Sequence, residues 1–312
     1  MANDARTAQR IIWRDLPEPA RRAVEARLGA RVRSALTQPG GFSHGLAARL
    51  FLDNDQVMFA KALNIDDPLI TMYRTEATTA ARLPPQVPAP KLLATIETDG
   101  WLITIFENIS GSHPRIEDPV ELAAMLDAVE QMSQALSPTP LLDVPSIDDL
   151  YGAKLTGWRH FAEHGPPADL NEWSRHNLDR LADLEITWAA AAAGDTLLHT
   201  DLRPDNMRLR PEGAVAIVDW AWPCTGAAWV DLVMFAPAIV AKGIDPDPIL
   251  ATHTVTRDTD PTSINALLCG LTGYWANACR QPPPPRAPQL REHRARAELV
   301  TTHWLRHRLS WP

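Results

Sequence analysis

A chain of 312 residues is long enough for two lobes with sizeable cores, and its 45% hydrophobic and 22% charged content is that of a globular protein. The formal net charge of -8 argues against non-specific nucleic-acid binding, and no apolar run approaches the roughly 20 residues that a membrane helix needs. The N-terminus carries no secretory h-region and the three cysteines (Cys224, Cys269, Cys279) lack disulfide or metal spacing, so the expectation is a cytoplasmic protein with neither nucleic acid nor membrane as partner.

Taken in chain order, residues 11–35 predict a helix, started by Leu16-Pro17-Glu18-Pro19 and carrying Ala23, Val24, Ala26 and Leu28 on an apolar side. Next comes a glycine-rich stretch, Pro39-Gly40-Gly41-Phe42-Ser43-His44-Gly45. A strand over 47–52, the turn Asp53-Asn54-Asp55 and a second strand over 56–63 follow it. Such a hairpin can lay backbone N–H groups over phosphates. Lys61 stands in the second strand beside Val57-Met58-Phe59-Ala60. It is one of four lysines against 26 arginines, and an ammonium there has to be solvated or paired. Residues 74–81 predict a helix in which Glu76 is the only carboxylate. Residues 101–106 predict a strong strand, running into Glu107-Asn108-Ile109-Ser110-Gly111.

Beyond that point the pattern turns helical. Residues 118–136 predict a helix with Asp118 as N-cap, Pro119 at the first position, and Leu122, Met125, Leu126, Val129 and Met132 at helical spacing. Further helices are expected over 150–163, over 170–193 with Gly194 closing it, over 227–241, over 263–279, and over 289–309 as an arginine-rich amphipathic helix. Residues 281–288, with four successive prolines, read as an exposed stiff loop. No internal repeat is visible. The expected division is 1–106, a small sheet lobe with an extra N-terminal helix, and 107–312, a mainly helical lobe.

The most informative stretch is 196–220. Leu197 and Leu198 end a buried helix or a short strand. The polar run from His199 to Asn206 contains Pro204 and is a loop. Residues 207–210 and 214–218 form a hairpin around the turn Pro211-Glu212-Gly213. That hairpin places Asn206 just before its first strand and Asp219 just after its second, so both oxygen ligands face one metal site. Singly, an aspartate in a loop is a turn former. Jointly, the spacing suits phosphoryl transfer from a magnesium nucleotide, with Asp201 as the base near the acceptor hydroxyl and Asn206 and Asp219 as Mg2+ ligands.

Residues His199-Thr200-Asp201-Leu202-Arg203-Pro204-Asp205-Asn206 resemble the catalytic loop of protein-kinase-like enzymes. The ending Ile217-Val218-Asp219-Trp220 resembles the aminoglycoside phosphotransferase family, in which an aromatic often follows the metal-binding Asp. The resemblance runs from Thr37 to Val240, and Thr200 stands where that family commonly has glycine. It implies an α+β, bilobal protein-kinase-like fold, with a small antiparallel-sheet N-terminal lobe for the nucleotide and a mainly helical C-terminal lobe bearing the catalytic loop and acceptor site. It further implies that Gly40, Gly41 and Ser43 cover the phosphates of ATP, or of GTP. Lys61 would hold the α and β phosphates, oriented by Glu76, and adenine would meet backbone near Glu107 and Ile109. Arg203 would stabilise the equatorial oxygens of the transferred group, or fix the loop. Asp231 would brace the catalytic loop.

After Asp219 the chain reaches its next helix within a few residues, leaving no room for a peptide-binding platform, so the expected partner is a small-molecule alcohol. Trp220 and Trp222 are candidates for stacking on the acceptor. Asp245 is a candidate for attracting a cationic one, with Asp247, Asp143, Asp148 and Asp149 as further sources of charge. The Val-Asp-Trp ending favours an antibiotic acceptor. A metabolic kinase of choline, homoserine or a sugar, a nucleotide-binding pseudokinase and a metal-dependent phosphoesterase are the alternatives, and monomer and homodimer both stay open.

Overall fold

The computed structural model describes residues 10–39, 43–283 and 290–312. Gly40 and Gly41, and most of the proline run, lie outside the described residues. The chain divides into two compact units, residues 1–114 with 204–222, and residues 115–203 with 223–312.

In the first unit, α1 (Glu18–Leu28) follows a single 3-10 turn at Trp13–Asp15. It is shorter than the helix expected over 11–35. Gly29 adopts the left-handed conformation at φ 67 and stops it, as a glycine just past a helix end does. The chain then forms β1 (Val32–Thr37), an unexpected strand. β2 (Leu46–Leu52), β3 (Val57–Asn64), α2 (Ile70–Ala80), β4 (Leu92–Thr98) and β5 (Trp101–Glu107) follow. The strands form one antiparallel sheet of order β1-β2-β3-β5-β4. Both strands that the sequence pattern missed, β1 and β4, are its edges. Each pairs on one side only; β1 is interrupted by a register shift between Val32 and Ser34, while β4 turns Ala94 and Ile96 to the core and leaves Leu93, Thr95 and Glu97 exposed.

One face of the sheet carries the core of this unit. Leu46, Ala48, Leu50 and Leu52 of β2, Ala60 and Ala62 of β3, and Ile103 and Ile105 of β5 pack beneath Trp13, Leu16, Ala20 and Val24. Period-2 alternation sends Lys61 to the opposite face, where Leu63 and Leu102 pack with Tyr73 of α2. A small hairpin, Met207–Leu209 with Val215–Ile217, completes the unit.

The second unit is mainly helical. Asp118 caps α3 (Pro119–Ala135), its Oδ1 accepting from the Val120 and Glu121 amides at 3.0 and 3.3 Å. The helix expected over 150–163 is two, α4 (Ile147–Tyr151) and α5 (Gly157–His164). A reciprocal Ser146–Asp149 capping box starts α4 early. α5 packs so closely on a later helix that a Cβ on Gly157 would stand 1.9 Å from the Gly273 carbonyl oxygen. The long helix expected over 170–193 is likewise broken, into α6 (Glu172–His176), α7 (Leu178–Ile186) and α8 (Trp188–Ala191). Polar side chains at the breaks bond to backbone and compete with the helix: Asn177 Nδ2 donates to the Trp173 carbonyl at 3.0 Å, and Thr187 Oγ1 to Leu184 at 2.8 Å. α9 (Val230–Val240), α10 (Asp247–Thr252), α11 (Pro261–Ala278) and α12 (Leu290–Leu309) complete it. α11 is buried on nearly all sides, with Leu267, Leu268, Cys269 and Gly270 in one run, and is the core helix on which α5, α7, α8, α9 and α12 pack.

Candidate active site

The first unit assembles a charged cluster on the face of the sheet opposite α1. Lys61 stands in register with Ala47 of β2 and Thr104 of β5. Its Nζ donates to both carboxylate oxygens of Glu76, each at 2.7 Å, and to Asp219 Oδ1 at 2.9 Å. Glu76 is buried while the Asp219 carboxylate is partly open to solvent. Burial works against the Lys61 charge, but Asp219 and Glu76 together raise its pKa, so the ammonium is retained. Burial pushes Glu76 up to about 7, against the pull of Lys61. The Lys61–Glu76 pair expected from the sequence is present, and Asp219, 158 residues further along, joins it.

The hairpin explains how Asn206 and Asp219 come to neighbouring positions. Met207 pairs with Ile217, and the Val218 amide donates to the Asn206 carbonyl at 2.9 Å, so the residues flanking the two strands meet at one end. Asn206 is buried, at the end of a 3-10 turn over Pro204–Asn206, and Asp219 takes φ 70, a left-handed conformation that aspartate tolerates. Three contacts hold the hairpin. Ser112 and Leu209 exchange backbone hydrogen bonds at 3.2 and 2.8 Å, the Ile217 amide donates to the Pro88 carbonyl, and His113 faces the Pro204 and Met207 carbonyls, each 3.2 Å from Nδ1. Arg208 lies 2.9 Å from His113 Nε2. Carbonyls accept and a guanidinium donates, so these contacts suit the tautomer with Nδ1–H as donor and Nε2 as acceptor.

The other candidates of this unit have varied surroundings. Ser43 hydrogen-bonds the Tyr73 hydroxyl. Glu107 closes β5, its amide on the Lys91 carbonyl at 2.9 Å and its carboxylate 3.8 Å from Arg210, and Ile109 is buried. Trp220 is 2% exposed with its indole N–H toward the Ile217 carbonyl at 3.3 Å; that is a packing position, which corrects its reading as a ring open to an acceptor. Trp222 is half-buried.

The second unit holds the catalytic-loop candidates. Strand Thr196–Leu198 pairs with Cys224–Gly226 and delivers the chain to His199. Asp231, in the first turn of α9, accepts from the His199 amide at 2.8 Å and the Thr200 amide at 2.7 Å, the brace that the resemblance implies. Burial raises the Asp231 pKa, and His199 with the two amides opposes the rise. Thr200 has φ 61, and its hydroxyl accepts from the Tyr151 hydroxyl at 3.0 Å. Asp201 is partly exposed; its amide donates to His199 Nδ1 at 3.2 Å, and Arg203 Nε lies 3.3 Å from its Oδ1. Asp245 is exposed and accepts from the Asp247 amide at 3.0 Å. The Asp247 carboxylate in turn holds Trp304 and Arg308. Tyr73, His113 and Tyr151 have no signal in the sequence, because each acts through partners far along the chain.

Among the described residues, no group of three or more His, Cys, Asp or Glu side chains is gathered as a metal site, and no helix is long and apolar enough to cross a membrane. The pattern of the phosphotransferase enzyme family matches residues 65–263. No curated protein matches the sequence. Solved structures match it in fold. A thermostable mutant of the aminoglycoside phosphotransferase APH(4)-Ia, in ternary complex with ADP and hygromycin B, is similar at TM-score 0.60 and 13% identity over 92% of this chain and 97% of that one. The choline kinase LicA from Streptococcus pneumoniae gives TM-score 0.60 and 12% identity over 90% and 99%. The aminoglycoside phosphotransferase from Alicyclobacillus acidocaldarius gives 0.55 and 12% over 89% and 92%. The antiparallel five-stranded sheet, the helical second unit and these likenesses make the fold protein-kinase-like. The matched pattern takes in Glu76, the loop 199–206 and Asp219, and with more than half of its length covered the chain belongs to the phosphotransferase enzyme family.

Proposed function

We propose that this phosphotransferase is a small-molecule kinase, passing the γ-phosphate of ATP or GTP to a hydroxyl of an antibiotic-like or sugar-containing acceptor. The observation that carries the reading is the Lys61 ammonium held between Glu76 and Asp219 in the first unit. That is an oriented cation for phosphate oxygens beside a carboxylate suited to a hard metal ion. Asn206 and Asp219 fit magnesium in kind: both offer oxygen, and the hairpin sets them at one end. Magnesium bound there would neutralise charge on the phosphates.

The chain's own residues do the rest. Lys61, kept in place by Glu76, positions the phosphates, with Ser43 and the backbone of Gly40 and Gly41 covering them. The backbone near Glu107 and Ile109 receives the base. Asp201 accepts the acceptor's hydroxyl proton and Arg203 supports the transferred group. Asp231 fixes the loop through the His199 and Thr200 amides. Residues 1–106 act as the nucleotide lobe and 107–312 as the acceptor lobe. Trp222 and Asp245 are acceptor contacts. The fold likeness spans an aminoglycoside enzyme and a choline kinase alike, so the acceptor is to be read from a panel. Transfer from labelled ATP and GTP is measured with aminoglycosides, nucleoside antibiotics, amino alcohols and sugars, for the wild type and for Asp201→Ala. The expected result is transfer to one class, a fall in kcat of about 100-fold or more in the variant, and nucleotide affinity within about twofold. Transfer to no alcohol, or full activity in Asp201→Ala, would refute the reading.

A further inference from the structure

Arg10 precedes α1 and lies outside residues 65–263, which carry the family pattern. Its position is built. The neighbouring Ile11 amide donates to the His44 carbonyl at 3.2 Å, and Arg10 Nη1 donates to the Gly45 carbonyl at 3.3 Å. Gly45 is where backbone, β3 and Tyr73 crowd together: a Cβ there would stand 2.5 Å from both the Ala62 carbonyl oxygen and the Tyr73 hydroxyl. The Tyr73 hydroxyl bonds Ser43, and its ring centre is 6.0 Å from Lys61 Nζ. The guanidinium is thus pinned at the end of the glycine-rich stretch, in the neighbourhood of the Lys61 cluster. Burial lowers the Arg10 pKa, while Tyr73 and the Asp219 charge support the cation.

The electrostatics of the cluster call for such a group. The Lys61 charge is shared between the Glu76 and Asp219 carboxylates. A polyanionic triphosphate calls for more positive charge than one ammonium already engaged by two carboxylates supplies. A guanidinium held near the cluster adds a fixed positive charge, and its planar fork matches two phosphate oxygens at once.

We propose that Arg10 is a second phosphate-binding cation, brought by the N-terminal segment to the β and γ phosphates of a nucleoside triphosphate bound at Lys61. The proposal rests on the kinase reading above. It separates Arg10 from a residue that only neutralises the cluster, because a phosphate contact depends on how many phosphates the ligand carries.

The test is calorimetric titration of the full chain with ATP, ADP and adenosine, for the wild type, Arg10→Ala, Arg10→Gln and Arg10→Lys, with a melting curve for each. Loss of a charge-assisted contact predicts ATP affinity about 10- to 100-fold lower in Arg10→Ala and Arg10→Gln. ADP should be less affected and adenosine unchanged. Arg10→Lys should recover part of the loss, since lysine restores charge without the fork. Unchanged ATP affinity in folded Arg10→Ala and Arg10→Gln overturns the proposal alone. So does an equal loss for ATP and adenosine, which would make the role structural. A wild type that binds neither ATP nor GTP overturns the kinase reading, and this proposal with it.

Discussion

Thr200 shows what a single side chain contributes to the loop 199–206. Its φ of 61 lies in the left-handed region, where a branched Cβ is crowded by roughly 1–2 kcal/mol. Glycine, which the resemblance leads one to expect at this position, would take that φ without strain. Here the Asp231 carboxylate holds the Thr200 amide and the Tyr151 hydroxyl holds its oxygen, which offsets the strain. The two effects separate in a double-mutant cycle. Thr200→Gly in the wild type relieves strain but leaves the partly buried Tyr151 hydroxyl without this acceptor, so little net change in stability is expected. In a Tyr151→Phe background the same substitution should stabilise by about 0.5–1 kcal/mol. Equal effects in both backgrounds, read from urea unfolding, would show the hydroxyl pair to be energetically idle. From sequence the departure at Thr200 was visible; its partner, 49 residues upstream, was not.

Among the elements, the hairpin that carries Asn206 and Asp219 depends on a close backbone approach. Gly111 has φ 135, and a Cβ added to it would stand 1.9 Å from the Leu209 carbonyl oxygen. The same approach allows Ser112 and Leu209 to exchange hydrogen bonds. Gly111→Ala therefore has to break that bridge or distort the hairpin. We expect a loss of about 2 kcal/mol or more, together with, on the function proposed above, weaker magnesium-dependent nucleotide binding, measured by denaturant unfolding and calorimetry. Wild-type stability would show that the strand can shift without cost. The hairpin itself was legible, because an apolar, turn, apolar pattern is local. The edge strands β1 and β4 were not: a register shift between Val32 and Ser34 breaks the alternation of β1, and in β4, whose burial does alternate, the exposed Leu93 beside Leu92 blurs the apolar period. Nor were the breaks between α6, α7 and α8, which follow from side chains bonding to backbone within an otherwise helical pattern.

For the molecule as a whole, burial governs the chemistry of the cysteines. All three are free and buried. Burial raises each thiol, and Cys279, with Glu298 beside it, is pushed up to about 11. A raised thiol stays protonated until the pH approaches that value, and only the thiolate attacks. At pH 8 the native protein should therefore react with Ellman's reagent far more slowly than free cysteine, and yield all three thiols once unfolded. Rapid reaction in the native state would contradict this burial. The absence of paired spacing in the sequence had already set the cysteines apart from disulfides and metal sites; their inertness is a property of packing. The same division holds for the whole chain. The sequence by itself was enough to place the chain among phosphotransferases, since the motif from His199 to Asp219 is local and folds as a loop and a hairpin. Only the tertiary structure decided what Lys61 and Arg10 meet. Lys61 reaches Asp219 from 158 positions away, and Arg10 reaches Gly45 from 35, and contacts of that separation exist only once sheet and helices have packed.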